Sequence, residues 1–429
     1  MTINKHASHI IYFQILYVMF SGLLIEFGLP VGIRYLTDAI NLILFFAVLV
    51  QKDKRPIVKD KMPVLMMVTW YSFMIISACV RDFSVLRIAW ASRNWARFFL
   101  FFVACRIFLH KKEVESLCRC LFRIYLLDFA LICFQFIVLG HKGDDLGGIF
   151  GSMMGGNGQT NILLCIVLIL GLCVCFEQKI HIRGLGGIFL LLASTMIIAA
   201  LEELKVFYYE YIGIVVLVSV ICRVKKKTDR RGTLWVAVAA VLSWLIGLAI
   251  LAAVFPSHFK VIIGKTSYMA YEAHSSSQYK ISRIKFIPEI NELFFKGSPI
   301  LNLTGYGFGN CEYSKFGFLT SPFYYENWET NYLYFSHQTL FLEGGLIGLG
   351  LFLAIFGVMA AQHLKKLAVR KTVNKYAVLG FVFGLVTMAN VFYNNATRTE
   401  ISYLTYFCLA AAYIMTDEGR DGVPCGQPT

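Results

Sequence analysis

Charge is what this chain has least of. Asp, Glu, Lys and Arg together make up 15% of its 429 residues, where a soluble globular domain carries about a quarter. Proline is scarce too, at nine residues, and no low-complexity tract interrupts the chain, which excludes linker-rich and collagen-like architectures. Repeats of solenoid or propeller length are absent. The twelve cysteines form no CxxC…CxxC or CxxH spacing. Ten of them lie in or beside apolar runs and read as small buried apolar side chains, not as zinc ligands or a disulfide framework. No glycine-rich stretch ends in the GK[ST] of a P-loop, so nucleotide binding is unsupported.

What is abundant is apolar and aromatic. Hydrophobic residues reach 58%, with 37 Phe and 22 Tyr, and the mean hydropathy is +0.65. Such a chain reads as an all-α polytopic integral membrane protein. Twelve spans fit the apolar runs, at 9–29, 35–51, 63–80, 98–109, 121–140, 160–177, 185–201, 206–222, 233–254, 333–360, 376–393 and 401–416. The fourth is short, and its helix is expected to begin nearer Trp95. The residues before the first span lack a small-residue cleavage site, so that span reads as a membrane helix and not a removed leader.

The formal charge of +14 points to no nucleic-acid face, because Lys and Arg fall in short clusters between apolar runs. Alternation of the spans puts Lys52–Lys61, Lys111–Arg123, Lys179–Arg183, Arg223–Arg231 and Lys365–Lys375 on one side. With both termini and the adjoining span ends, that side holds 25 of the 40 basic residues and 9 of the 26 acidic ones. The positive-inside rule makes it the cytoplasm, with both termini there. The expected organisation is spans 1–9 over 1–254, a large external loop over 255–332, spans 10–12 over 333–416 and a cytoplasmic tail over 417–429. A loop of that length inside a helical bundle is usually functional. Within it, Ile284, Ile287 and Ile290 recur at helical spacing, so Ser282–Leu293 is expected to form an interfacial helix that Pro288 shortens.

Four segments carry candidate chemistry. Arg81–Arg97 holds four arginines on the side where positive charge is normally depleted. In a helix Arg93 and Arg97 stand about 40° apart, with Arg87 within roughly 120°. Arginine forks suit phosphate oxygens; the alternative is a lipid-headgroup anchor helped by Trp90 and Trp95. Glu202, Glu203, Lys205 and Glu210 sit where two spans meet, and charge there is costly unless paired or wetted. The alternative is a local pair of Lys205 with Glu202 or Glu203 that closes the turn. Glu26, Asp38 and Asp128 lie in or near other spans. Asp144–Gly158 is rich in glycine, which permits close backbone approach, and its two adjacent aspartates are too weak a signal to assign a metal. Finally, His337 stands at the external end of the tenth span, followed by Glu343, Gly344 and Gly345. An imidazole there suits a general base acting on a sugar hydroxyl.

These segments resemble a known superfamily, the bacterial O-antigen ligases and the Wzy-type O-antigen and capsular polysaccharide polymerases. HQTLFLEGGLIGL resembles its pattern of His, a short apolar stretch and Glu-x-Gly-x-x-Gly opening a late helix. Arg283 in YKISRIKF and the GYGFGN of Gly305–Asn310 resemble the arginine and glycine-rich parts of its large external loop. SRNWARFFLFF, DDLGGIFGSMMGGNGQTN and ALEELKVFYYEY are similar to polymerase members of Gram-positive type. The likeness spans roughly residues 81–350. Gln338 departs from it where ligases commonly have Asn, and no lipid-A-type acceptor signature is present, which leaves polymerase against ligase open.

The resemblance implies a GT-C-like membrane glycosyltransferase of the bacterial cytoplasmic membrane. It would join polyprenyl-pyrophosphate-linked oligosaccharides at the outer face, with no cofactor and no metal. His337 would be the base and Arg283 its catalytic partner. Arg87, Arg93, Arg97, Glu203, Lys205, Asn310 and Glu343 would contact substrate, and a flippase and a chain-length regulator are the expected protein partners. The non-enzyme alternative is a lipid-linked oligosaccharide flippase. Transporters often show two related halves, and this chain has no such duplication.

Overall fold

The computed structural model describes residues 2–52, 54–152, 156–177, 182–225, 230–265, 281–370 and 372–417. Several sequence segments singled out above therefore lie partly outside the described residues: 266–280 of the long connection, 153–155 of the glycine-rich stretch, parts of the basic clusters at 53, 178–181, 226–229 and 371, and the tail 418–429. Among the described residues the regular structure is helical throughout, with no strand.

Long helices dominate: α1 (Thr2–Glu26), α2 (Leu36–Val50), α3 (Met62–Val80), α4 (Val85–Phe108), α5 (Lys111–Ile137), α6 (Gly156–Glu177), α7 (Ile182–Leu201), α8 (Lys205–Val224), α9 (Arg230–Val254), α10 (Ser336–Val369), α11 (Lys375–Tyr393) and α12 (Ser402–Thr416). Nine of these are long and apolar enough to cross a membrane among the described residues; the apolar stretches of α7 (Gly186–Leu201) and α12 are shorter. The chain is a multi-pass membrane protein.

Local chemistry sets several helix starts. At α5, His110 and Glu113 cap each other reciprocally, the backbone N–H of His110 donating to Glu113 Oε2 at 2.8 Å. Asn374 caps α11 through the N–H of Tyr376. Helix α4 starts at Val85, ten residues before the point its apolar content predicts. The helix runs through the charged stretch because Arg87, Arg93 and Arg97 each find a carboxylate.

Among the nine helices long and apolar enough to cross a membrane the most enclosed is α6, 83% of whose apolar window is buried against 22% for that of α2. It packs against α7, α8 and α11. Helix α12 lies between α4 and α11, α10 packs on α3 and α11, and α9 flanks α7. At one end of the bundle Lys366 meets Asp60 at 2.9 Å, Lys59 pairs with Asp417, and Arg370 donates to the Thr416 carbonyl at 2.6 Å. The chain between α9 and α10 covers the opposite end with four short helices, Pro256–Ile262, Phe286–Ile290, Pro299–Thr304 and Pro322–Asn327. Ser298 and Ser321 cap the last two, each followed by a proline that needs no donor there. The helix expected from Ser282 instead starts at Phe286, with Pro288 in its first turn, and continues as a wider turn over Asn291–Phe295.

Candidate functional site

The first turn of α10 carries His337, which is fully buried. Its ring is walled by Phe286 at 4.5 Å, Phe392 at 5.2 Å and Phe335 at 5.9 Å. Both ring nitrogens face backbone carbonyls: Nδ1 lies 3.2 Å from the Val391 oxygen and Nε2 3.2 Å from the Arg283 oxygen. A neutral imidazole has one N–H for these two acceptors. Next to it, Gln338 Nε2 donates to the carbonyls of Ile281 and Ser282, both at 3.3 Å. The His-Gln pair thus faces three consecutive residues of the long connection at the head of α10, with Gln338 holding the first two. The Arg283 guanidinium lies over the Phe335 ring at 4.4 Å and the Tyr393 ring at 5.3 Å.

Two glycine-containing motifs that are 38 residues apart in sequence form one clamp. At Gly345 the backbone takes φ +61° and α10 breaks. The carbonyls orphaned by the break are met by the other motif: Tyr306 N–H donates to Leu342 at 2.7 Å and Gly307 N–H to Glu343 at 2.9 Å. A Cβ at Gly345 would overlap the Leu303 carbonyl, so this crossing requires glycine. The buried Glu343 carboxylate accepts the Cys311 N–H at 3.0 Å. Asn310 Nδ2 donates to the carbonyls of Tyr306 at 2.8 Å and Asp82 at 3.1 Å. Glu343 and Asn310 therefore shape the loop from inside it. Beside them, fully buried Glu312 pairs with Arg398 at 2.5 Å and accepts from Asn94 Nδ2 at 3.0 Å.

The arginines of α4 form a second cluster. Arg93 Nε and Nη2 both donate to Asp38 Oδ2, at 3.0 and 2.9 Å, and Arg93 Nη1 donates to Asn94. Arg97, 5% exposed, donates to Asp38 Oδ1 at 2.8 Å and to Glu400 at 3.4 Å. Burial alone would raise the Glu400 carboxyl, but Arg97, Arg34 and Arg93 outweigh it and hold the group below the ordinary carboxylate range. Arg87 stands apart, paired with Asp82 at 2.7 Å. Arg398 links the two clusters, since its Nη1 donates to Thr339, two residues beyond His337, at 3.0 Å.

Lys205 belongs to neither. It pairs with Glu203 at 2.7 Å across the turn between α7 and α8, and His258 Nδ1 lies 2.7 Å from the same carboxylate oxygen. Burial pushes the Glu203 carboxyl up, while His258 and Lys205 pull harder and keep it below its usual range. Of the other acidic residues in or near spans, Asp38 serves the α4 arginines, Glu26 meets Ser152, and Asp128 accepts the Ile149 N–H. Of the sequence-derived candidates, His337 and Arg283 are brought together, Asn310 and Glu343 share the clamp beside them, Arg93 and Arg97 share Asp38, and Arg87, Glu203 and Lys205 lie elsewhere.

Sequence reasoning missed Glu312, Arg398 and Glu400, and the amides around Glu210. That buried carboxylate accepts from Asn161 at 2.9 Å and Asn390 at 2.8 Å. Asn390 inside an apolar span was the available signal, because a polar side chain there needs a partner. Arg398 and Glu400 were legible as charges within two residues of each other between two spans.

Neither a scan against protein-family models nor a search of curated proteins returns a match for this chain. What fold and site define is a class: a multi-pass helical membrane protein with a buried histidine at the head of a broken helix, under the long connection that precedes it.

Proposed function

We propose that this protein is a polysaccharide polymerase, joining polyprenyl-pyrophosphate-linked oligosaccharide repeat units at the outer face of the bacterial cytoplasmic membrane. In this reading all twelve long helices cross the bilayer in a GT-C-like arrangement, and both termini are cytoplasmic. A flippase supplies the donor and a chain-length regulator acts on the product. The observation that carries the reading is the contact between His337 Nε2 and the Arg283 backbone, 54 residues apart in sequence. It sets the His337 imidazole beneath the long connection, and the Arg283 guanidinium lies over the Phe335 ring that also flanks the imidazole.

The chemistry follows from the two-carbonyl environment. If the N–H sits on Nδ1 and is donated to Val391, the Nε2 lone pair opposes the Arg283 oxygen. An acceptor sugar hydroxyl taking the place of that carbonyl relieves the clash and donates its proton to Nε2. Its oxygen attacks the anomeric carbon as the bond to the diphosphate breaks, which inverts the configuration and leaves polyprenyl diphosphate. The aromatic walls exclude water and so protect the donor from hydrolysis. Developing diphosphate charge falls to Arg283. Arg93, Arg97 and Lys205 already direct donors at Asp38, Glu400 and Glu203, so their contribution to substrate is indirect.

The test is the purified protein in vesicles with a polyprenyl-diphosphate-linked oligosaccharide. Longer glycan and one polyprenyl diphosphate per bond formed, undiminished by a metal chelator, is the expected result. Transfer to a different acceptor would mean a ligase. Movement of intact donor across the bilayer without bond formation would mean a flippase.

A further inference from the structure

The glycine-rich stretch that lacks a nucleotide motif turns back into the bundle. Leu146, Ile149 and Phe150 are buried, and Phe150 packs on Gly22 of α1 so closely that a Cβ there would strike its carbonyl. Gly148 takes φ +49°, and a Cβ on it would overlap Asp128 Oδ1. The N–H of Ile149 donates to that same oxygen at 2.9 Å, and the Gly148 N–H donates to Gln135 at 2.9 Å. The loop therefore lies directly on the Asp128 carboxyl of α5.

A second carboxyl is reached across the same loop, because Gly156 at the head of α6 lies against Gly147 and Gly151, and one turn further on the α6 residue Thr160 contacts it. Glu202, at the end of α7, accepts from Thr160 Oγ1 of α6 at 3.2 Å on Oε1 and feels the charge of Asp128. Both side chains are fully buried. Asp128 Oδ2 and Glu202 Oε2 are shielded from solvent and meet no hydrogen-bond donor among the described residues. No Lys, Arg or His acts on either group among the described residues. The neighbouring titratable groups are engaged elsewhere. Tyr125 of α5 bonds Ser194, Glu203 pairs with Lys205 and His258, and Glu210 of α8 holds Asn161 and Asn390. Asp144 takes the Asn157 amide and Glu26 meets Ser152, while His141, past the end of α5, holds the Gln135 carbonyl by its backbone N–H and keeps its ring Nδ1 buried without a hydrogen bond among the described residues.

Two buried carboxylates on either side of one loop, without a cation, cannot both stay ionised in a low-dielectric interior. Oxygens that lack a donor are filled most simply by a proton. We propose that Asp128 and Glu202 form a proton-binding site that holds at least one proton at neutral pH and fastens the 146–151 loop to the bundle. When the proton leaves to solvent, the two carboxylates repel each other beneath that loop. The site is independent of glycosyl transfer and stands whichever membrane function the protein has.

Infrared spectroscopy of the full-length protein in nanodiscs at neutral pH tests this through the protonated-carboxyl stretch. Glu210→Gln/Glu343→Gln provides a background free of two other buried carboxyls. The band is expected to survive in that background and to weaken when Asp128→Asn or Glu202→Gln is added. An unchanged band after both additions would overturn the proposal. Should those additions fail to fold, the background variant alone decides. A band there that disappears in alkali supports the site, and no band overturns it. A melting temperature that rises with sodium in the absence of the band would also overturn it, by assigning the site to a metal cation.

Discussion

The arginine cluster of α4 and the histidine at the head of α10 are linked through Arg398, yet they are built in opposite ways. In the first, donors and carboxylates match: Arg93 and Arg97 share Asp38, and Arg97 reaches Glu400. In the second they do not match, because one imidazole faces two carbonyls. A matched cluster holds helices together. A mismatched one has a position that a substrate donor can take over. The arginines of this protein thus divide by their partners, and residue type alone does not separate a brace from a binding group.

The largest effects should separate the two regions by kind. His337→Ala and Arg283→Ala are each expected to abolish polymer while leaving membrane insertion intact. For the base the loss is about 10²–10⁴-fold, read from product per turnover in vesicles. Asp38→Ala should act on stability instead, since it leaves two arginines in a half-dry site without their shared carboxylate, at a cost of roughly 3–5 kcal/mol. Unfolding in detergent would show it, and adding Arg97→Met should recover part of the loss. An Asp38→Ala protein of normal stability but without activity would break the comparison, because the arginine cluster would then be working on substrate.

Smaller effects sharpen it. Gly345→Ala forces φ +61° on a residue with a Cβ and overlaps the Leu303 carbonyl. With ψ at −160° this is a region essentially restricted to glycine, and the conformational part alone costs about 1–3 kcal/mol, visible as a lower melting temperature. Lys205→Ala should be mildest, about 0–1 kcal/mol, because its partner Glu203 keeps His258. The sign of its pH dependence is set by Glu203, whose carboxyl is held below the ordinary range. That stabilisation is complete above the ordinary carboxylate pKa and is lost as pH falls through the depressed one. Lys205→Ala should flatten the acid limb of a melting-temperature profile.

Helices driven by uninterrupted apolar runs were legible almost to the residue. The spans expected at 160–177, 376–393 and 401–416 appear as Gly156–Glu177, Lys375–Tyr393 and Ser402–Thr416. Where charge enters a helix, legibility fails, because the partners that neutralise it are remote. The start of α4 depends on Asp38 and Glu400, 55 or more residues from Arg93. The far end of α10 runs past 360 to Val369 with help from the Lys366–Asp60 pair. Gly344–Gly345 suggested close helix packing, and Gly344 does meet Met74. The break at Gly345 could not be read, because it depends on the N–H groups of a loop from a distant segment. For the site, the place of His337 after a long connection was legible, and the structure puts it buried in the first turn of α10. The two carbonyls that define its chemistry are backbone atoms and leave no mark in a sequence.

The most direct measurement is a gel of cell-surface glycan from a strain lacking this protein, complemented with wild type or His337→Ala. A ladder with wild type and single repeat units with His337→Ala, at equal amounts of protein in the membrane, is the predicted result. A ladder of normal length with His337→Ala would contradict it.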